Sequence, residues 1–178
     1  MRRADIEHVV RAAADIVNDE IVVIGSQAIV VQFDDLPDSL LVSMEADVFP
    51  LRAPERAIEI DGALGDGSDF HDQFGFYGHG VGPETPRAPA GWLDRSKRVV
   101  FTPYGGWKNE AVGHFMEAHD LVLSKLVAGR PKDFDYAEVA LRNDLIDVDE
   151  LRRGLDLMEN ADRELARRNL ELLIARLP

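Results

Sequence analysis

The sequence predicts an α+β fold, in which a small mixed β-sheet with flanking helices is followed by a C-terminal helical lobe. Short apolar or alternating segments, which are typical of β-strands, occur only before residue 102. Beyond Phe115 the apolar residues recur at helical spacing to the end of the chain. We therefore expect an α/β core over residues 1–112 and a helical lobe over residues 113–178 that packs on it.

The core begins with a helix and a strand whose patterns differ clearly. Residues 5–17 have the apolar periodicity of an amphipathic helix. Ile21–Ile24 is a β-branched, fully apolar run, which is typical of a central strand. Gly25 and Ser26 end this strand, and residues 27–33 again have a helical pattern.

A second strand is predicted over residues 42–49, where successive side chains alternate between two faces. Residues 54–64 are predicted to form a helix that starts at a proline. Residues 65–91 are rich in glycine and proline, and we expect a loop there with one strand near residues 74–79. Residues 99–101 form a further short strand pattern.

The helical lobe is predicted to contain four helices. The first ends near Ala128, because residues 129–131 (Gly-Arg-Pro) break the pattern, and the second covers residues 132–142. Asp147, with a glutamate three residues later, resembles a capping box that opens the third helix. Asn160 is expected to cap the fourth.

Composition limits the class of protein. The chain has 178 residues, which suits one domain or two small lobes, and it contains no cysteine, which excludes disulfides and thiolate metal sites. No apolar run reaches the roughly 18–20 residues that cross a bilayer. A net charge of −13 argues against a broad surface for nucleic acid. We expect a soluble, cytoplasmic protein without membrane contact.

The charge is distributed unevenly along the chain. Residues 1–86 hold five basic and seventeen acidic side chains, whereas residues 87–132 hold eight basic and four acidic ones. An acidic segment followed by a basic one suits a site that binds a metal ion together with an anionic ligand. The alternative is that the acidic excess only keeps the protein soluble.

The turn formed by Gly25 and Ser26 is the first candidate ligand site. A glycine lets the backbone approach a ligand closely, and the helix that follows presents N–H groups to an anion. The turn is equally explained if Ser26 is simply a helix cap.

Glu45 and Asp47 are the candidate metal ligands. They lie two residues apart on the predicted second strand, so both carboxylates project from the same face. Hard divalent cations such as magnesium take oxygen ligands of this kind. The alternative is a solvent-facing strand edge, although Phe49 shares the acidic face and makes a fully wet edge less consistent with the pattern.

Together, the Gly25-Ser26 turn and the acidic pair about twenty residues later resemble the DNA-polymerase-β-type nucleotidyltransferase superfamily. The resemblance implies that Ser26 binds the triphosphate of a nucleotide. It also implies that Glu45 and Asp47 hold Mg²⁺ or Mn²⁺. The family more often has aspartate at the first acidic position, where this chain has glutamate.

Lys125 is a further candidate, in the first helix of the helical lobe. Its helical neighbours are apolar, so burial of the ammonium group requires an anionic partner unless the side chain reaches water. This lysine, with Arg130, Lys132 and Asp133 at the start of the next helix, is similar to the bacterial nucleotidyltransferase-like toxins of the AbiEii and MenT groups. The resemblance implies that these four residues form the nucleotide-binding set, with Lys125 on the triphosphate.

The chain departs from the superfamily pattern at the third carboxylate, which usually comes from a later strand. The strand predicted over residues 99–101 carries no acid. Asp72 and Asp94 are the available substitutes, but nothing in their spacing selects either one.

A different class remains open, because His71-Asp72 and His119-Asp120 are both His-Asp pairs, as in metal-dependent phosphohydrolases. The helices that such a fold needs before the first pair are absent from the pattern. A serine hydrolase is not supported, since neither Ser26 nor Ser124 lies in a G-x-S-x-G context.

The function that the resemblance implies is transfer of a nucleoside monophosphate from a nucleoside triphosphate to an acceptor hydroxyl. Glu45, Asp47 and Lys125 are the predicted catalytic residues. The acceptor, which the sequence does not identify, is an RNA end, a protein or a small molecule. The toxin resemblance implies an antitoxin partner. The alternative is a catalytically silent module of the same fold that binds another protein.

Overall fold

The computed structural model describes residues 1–177, which form a five-stranded mixed β-sheet with helices around it. The strands are β1 (Ile21–Ile24), β2 (Glu45–Pro50), β3 (Tyr77–Gly80), β4 (Lys97–Phe101) and β5 (Ala111–Phe115). The helices are α1 (Arg3–Val17), α2 (Ala57–Leu64), α3 (Asp69–Phe74), α4 (Trp92–Arg95), α5 (Ala118–Ala128), α6 (Pro131–Arg142), α7 (Val148–Leu155) and α8 (Asn160–Ile174). Short 3₁₀ helices cover Ser26–Val31, Asp38–Leu40 and Pro54–Arg56.

The strand order in the sheet is β3-β2-β1-β5-β4. β1 is the central strand, antiparallel to β2 and parallel to β5, and all four of its side chains are buried. β2 runs parallel to β3, with Asp47 beside His79 in the register. The strand pairing therefore brings the carboxyl end of β1, the acidic residues of β2 and the residues of β3 together at one end of the sheet.

The C-terminal helices pack on one another through α5. This helix contacts α6, α7 and α8, and its apolar face is almost completely buried. The last helix, α8, also has a buried apolar face, at Ala166, Leu170 and Leu173. The structure thus confirms an α+β fold with a mixed sheet, flanking helices and a helical C-terminal part.

Several local predictions differ from the structure. Residues 42–44 precede the second strand, and Val42 is 78% exposed instead of sharing the buried face of Ala46. The Gly/Pro-rich stretch contains α3, whose N-terminus is capped by the Ser68 hydroxyl. Residues 26–31 form a 3₁₀ helix, and Asn160 is the first residue of α8 and not its cap.

The fifth strand was not predicted, because Gly113 and His114 interrupt its apolar pattern. β5 continues the sheet to Phe115, and α5 begins at Ala118. The division into residues 1–112 and 113–178 remains a prediction. Among residues 1–177, none of the helices is both long and apolar enough to cross a lipid bilayer.

Candidate functional site

Gly25 sets the geometry at the end of the central strand. Its φ of +68° and ψ of −168° lie in a backbone region that is essentially restricted to glycine. A Cβ atom on Gly25 would lie only 2.3 Å from Oδ2 of Asp47. Glycine is therefore required here both for the turn and for the close approach of the carboxylate from β2.

Glu45 and Asp47 project from the same face of β2, as their spacing predicts, and His79 of the neighbouring strand meets them. Nδ1 of His79 lies 2.8 Å from Oε1 of Glu45 and 3.1 Å from Oδ1 of Asp47. One potential ligand atom from each residue falls within 4.8 Å of the others. We call these three residues the acidic cluster. Two carboxylates and an imidazole at this separation fit the ligand set of a divalent cation.

His79 was missed in the sequence prediction. Its signal is present, since a strand was expected near residues 74–79 and His79 follows Tyr77 at the two-residue spacing of one strand face. The pairing of that strand with β2, which brings His79 to Asp47, is a long-range contact that local pattern does not encode. Asp72 and Asp94, the substitutes considered for a third carboxylate, are not part of the cluster.

The acidic cluster concentrates negative charge. Burial and the neighbouring Glu45 carboxylate raise the pKa of Asp47 to about 6, although His79 opposes the shift. Burial lowers the pKa of His79, but the two carboxylates outweigh it, and the net shift is upward. Within residues 1–177, no lysine or arginine forms an ion pair with either carboxylate. The cluster therefore favours a bound cation.

Lys125 reaches from α5 toward the turn that follows the central strand. Its Nζ donates to Oγ of Ser26 at 3.0 Å and lies 3.4 Å from Oδ1 of Asp133. The ring of Tyr136 lies 4.5 Å from the same ammonium group. The side chain is only 11% exposed, and burial lowers the pKa of Lys125 while Asp133 opposes that shift.

Asp133 holds two basic residues, Lys125 and Arg130, in position through ion pairs. Its fully buried carboxylate accepts from Nε of Arg130 at 2.6 Å and from the Arg130 backbone N–H at 3.3 Å, and so caps α6. It also faces Lys125, so one carboxylate fixes two cations. Arg130 and the exposed Lys132 extend from the start of α6, where Pro131 occupies the first turn.

These side chains line one cleft of about 470 Å³. It brings together seven of the eight predicted site residues: Gly25, Ser26, Glu45, Asp47, Lys125, Arg130 and Lys132. Asp133 is the eighth and lies behind the wall. The cleft also contains His79 and Arg87, which the sequence did not single out. One wall is acidic and the other basic, an arrangement that suits a metal ion beside a polyphosphate.

The two His-Asp pairs do not form a metal site. His71 is in α3, where Nδ1 accepts from the Gly67 backbone N–H. His119 is held by Glu117, and Asp120 forms a two-bond ion pair with Arg95. Neither pair belongs to a cluster of three potential ligands in the described part of the chain. This geometry does not support the phosphohydrolase interpretation.

The comparisons with known proteins bear on the class of the whole chain. No curated protein and no solved structure matches it. A family model described as a nucleotidyltransferase of unknown function (DUF6036) matches residues 3–176. That range includes every residue of the cleft and both of its walls. The chain therefore belongs to this nucleotidyltransferase family.

Proposed function

We propose that this protein transfers a nucleoside monophosphate from a nucleoside triphosphate to an acceptor hydroxyl, and that the reaction depends on a divalent metal ion. The observation that carries the proposal is the cleft, which has Glu45 and Asp47 on one wall and Lys125 on the other. In this proposal the α/β core supplies the acidic side chains and the helical lobe supplies the basic ones. We propose that the reaction takes place in the cytoplasm.

The basic wall binds and orients the triphosphate. Lys125 already has a hydroxyl partner in Ser26, so phosphate oxygens arriving at this point meet an ammonium group whose position is fixed. Arg130 and Lys132 are exposed residues that also line the cleft, where they can contact the terminal phosphates. Because Asp133 holds Lys125 and Arg130 in place, little side-chain ordering is needed when the nucleotide binds.

The acidic wall holds the cation, for which Glu45 and Asp47 provide oxygen ligands for Mg²⁺ or Mn²⁺. When bound, the ion neutralises negative charge on the reacting phosphate. Gly25 lets Asp47 come close to the end of the central strand, and Asp47 lines the same cleft as Ser26, where the phosphates are expected. The two walls thereby place both kinds of charge around the α-phosphate.

In the proposed reaction the acceptor oxygen forms a bond to the α-phosphorus, and the bond from that phosphorus to the bridging oxygen of the β-phosphate breaks. Pyrophosphate leaves and the acceptor proton is lost to solvent. A dedicated general base is not indispensable, because positioning and charge stabilisation supply most of the rate enhancement in phosphoryl transfer.

The test is labelling with α-labelled ATP, CTP, GTP and UTP in the presence of Mg²⁺ or Mn²⁺, with cellular RNA, protein and small-molecule fractions as acceptors. We expect label on one class of acceptor, and loss of label in Asp47→Asn. Asp72→Asn, which changes an exposed carboxylate outside the cleft, is the matched control and should retain activity. Equal labelling by the wild type and Asp47→Asn would contradict the proposal.

A toxin role would follow if the acceptor is an RNA or protein that cells need, and a cognate antitoxin would then be the partner. Growth arrest on expression of the wild type, but not of Asp47→Asn, would support that role.

The second candidate is a catalytically silent module that binds a partner protein. It is favoured by one observation: in the described part of the chain, the third member of the acidic cluster is His79 and not a third carboxylate. Triphosphate binding without labelling of any acceptor fraction would support the silent module over the enzyme.

A further inference from the structure

We propose that His79 is the third ligand of the cation at Glu45 and Asp47, and that this ligand set selects manganese or another first-row transition ion over magnesium. The inference deepens the proposed function, because it rests on the metal site assigned there to the two carboxylates.

The pairing of β2 with β3 brings the three proposed ligands together. In the parallel pairing of β2 with β3, Asp47 lies beside His79 and Glu45 lies beside Tyr77. Nδ1 of His79 therefore faces both carboxylates, at 2.8 and 3.1 Å. A small shift of the three side chains would let them share one ion in place of the present hydrogen bonds. All three side chains are partly exposed, between 27% and 46%, so the ion can enter from the cleft.

The chemistry of the ligands carries the second step. Magnesium demands oxygen ligands in near-ideal octahedral geometry and usually keeps several waters. Imidazole nitrogen is a softer ligand, which suits zinc, copper, iron and nickel, and two carboxylates with one imidazole also suit manganese. Replacing a third carboxylate by histidine also lowers the negative charge of the ligand set by one. Both changes disfavour magnesium more than they disfavour a transition ion.

A purely structural role for His79 is the competing explanation, and His119 shows what such a role looks like. Nδ1 of His119 lies 2.8 Å from Glu117, while Nε2 accepts from the Asp147 backbone N–H at 2.9 Å. Both ring nitrogens are thus used to hold the protein together. Within residues 1–177, the His79 ring makes hydrogen bonds only to the two carboxylates.

The experiment uses the whole protein with Mn²⁺ as the probe. Pulsed electron paramagnetic resonance detects the nuclear modulation of a nitrogen bonded directly to Mn²⁺. We expect that modulation in the wild type and in His119→Gln, which changes the matched structural histidine. It should be absent in His79→Asp, which restores an all-carboxylate set and still binds the ion.

Calorimetric titration of the same proteins with Mn²⁺ and Mg²⁺ provides a second measurement. His79→Asp should lower the ratio of Mn²⁺ to Mg²⁺ affinity about tenfold, the lower end of the changes in affinity that substitutions around a metal site commonly cause. Mn²⁺ binding without nitrogen modulation, together with an unchanged ratio, would overturn the role of His79 and leave the carboxylate site intact. Failure of the wild type to bind any of these ions would instead overturn the metal site itself.

Discussion

Two regions of this protein each contain two carboxylates and one histidine, but they differ in how many protein partners these groups have. The first is the acidic cluster, and the second is formed by Glu117, His119 and Asp120. In the second region each group has protein partners. Glu117 accepts from backbone N–H groups at the start of α5, and Asp120 binds Arg95 through two hydrogen bonds of 2.9 Å. In the acidic cluster the two carboxylates share a single imidazole and have no lysine or arginine ion-pair partner in the described chain.

The comparison shows that residue type alone does not identify a metal site. His119-Asp120 resembles a metal-binding motif in sequence. In the structure, however, His119 is hydrogen-bonded to Glu117 and to the Asp147 backbone, and Asp120 forms an ion pair with Arg95. Glu45, Asp47 and His79 have fewer protein partners than they can accommodate, and the open cleft lies in front of them. A site that binds a ligand keeps charge unpaired, which lowers the stability of the ligand-free protein.

The largest expected difference between the two regions is the change in unfolding free energy when a carboxylate is replaced. Asp120→Asn removes the carboxylate partner of Arg95, whose side chain is 38% exposed, and should lower the free energy of unfolding by about 1–2 kcal/mol. Asp47→Asn relieves repulsion from Glu45 and should raise it by up to about 1 kcal/mol in metal-free protein. Urea denaturation at pH 7 in the presence of a chelator measures both. A loss of similar size in the two variants would show that the regions do not differ in this way.

Nucleotide binding should depend on the basic wall that faces the acidic cluster. Lys125→Met removes a nearly buried ammonium group and should weaken binding of nucleoside triphosphate by about 10- to 100-fold, the range for one hydrogen bond to a charged group. Calorimetric titration with each of the four nucleotides gives the affinities. Lys97→Met, at an exposed lysine of β4 outside the cleft, is the control and should bind normally. Equal weakening in both variants would indicate a general charge effect.

Gly25→Ala should disturb the acidic cluster through Asp47. The new methyl group overlaps the carboxylate, and the backbone conformation also disfavours alanine, so we expect about 2 kcal/mol of destabilisation and weaker Mn²⁺ binding. Gly67→Ala is the matched control, because Gly67 also has a positive φ but has no atom within 4 Å of the added carbon. It should lose stability and keep Mn²⁺ affinity. Unchanged affinity in Gly25→Ala would separate the turn from the metal site.

The smallest expected effect is the pH dependence of the unfolding free energy that comes from His119 and Glu117. Burial lowers the pKa of His119, but Glu117 outweighs it and raises the pKa above the ordinary 6.5. The same pairing, against burial, lowers the pKa of Glu117 below 4.5. The charge attraction between His119 and Glu117 therefore stabilises the fold most between about pH 4.5 and 6.5, and it fades as pH rises through the folded pKa of His119. The loss is small, because the neutral ring keeps its Nδ1–H bond to Glu117 and lets Nε2 accept from the Asp147 backbone N–H. The difference in unfolding free energy between wild type and His119→Gln should stay below about 1 kcal/mol and shrink above that window. A difference that grows with pH would reverse the assigned signs.

The parts of the site that depend on local pattern were predictable from sequence. Glu45 and Asp47 share a face because side chains on a strand alternate. Gly25 ends an apolar strand, and Asp133 sits three residues into the helix that follows Arg130, where a carboxylate caps the backbone. Each of these relations spans only a few residues. The family match then supports the general class that the residues indicate.

The parts that depend on strand pairing were not predictable in the same way. His79 becomes a neighbour of Asp47 only because β3 pairs with β2, 32 residues away in the chain. β5 was overlooked because a strand with glycine and histidine at its centre has a weak apolar pattern. The hydrogen bond between Lys125 and Ser26 joins residues 99 positions apart. The sequence did indicate that Lys125 needs an anionic partner unless its side chain reaches water, although it did not identify which one.

The most direct test of the difference between the two regions is a titration of Mn²⁺ into three proteins, with free Mn²⁺ followed by electron paramagnetic resonance. Wild type and His119→Gln should bind Mn²⁺ with similar affinity. Asp47→Asn should bind at least about a hundredfold more weakly, since it loses a direct carboxylate ligand. If Asp47→Asn binds as tightly as the wild type, or if His119→Gln is the variant that loses binding, the acidic cluster is not the metal site.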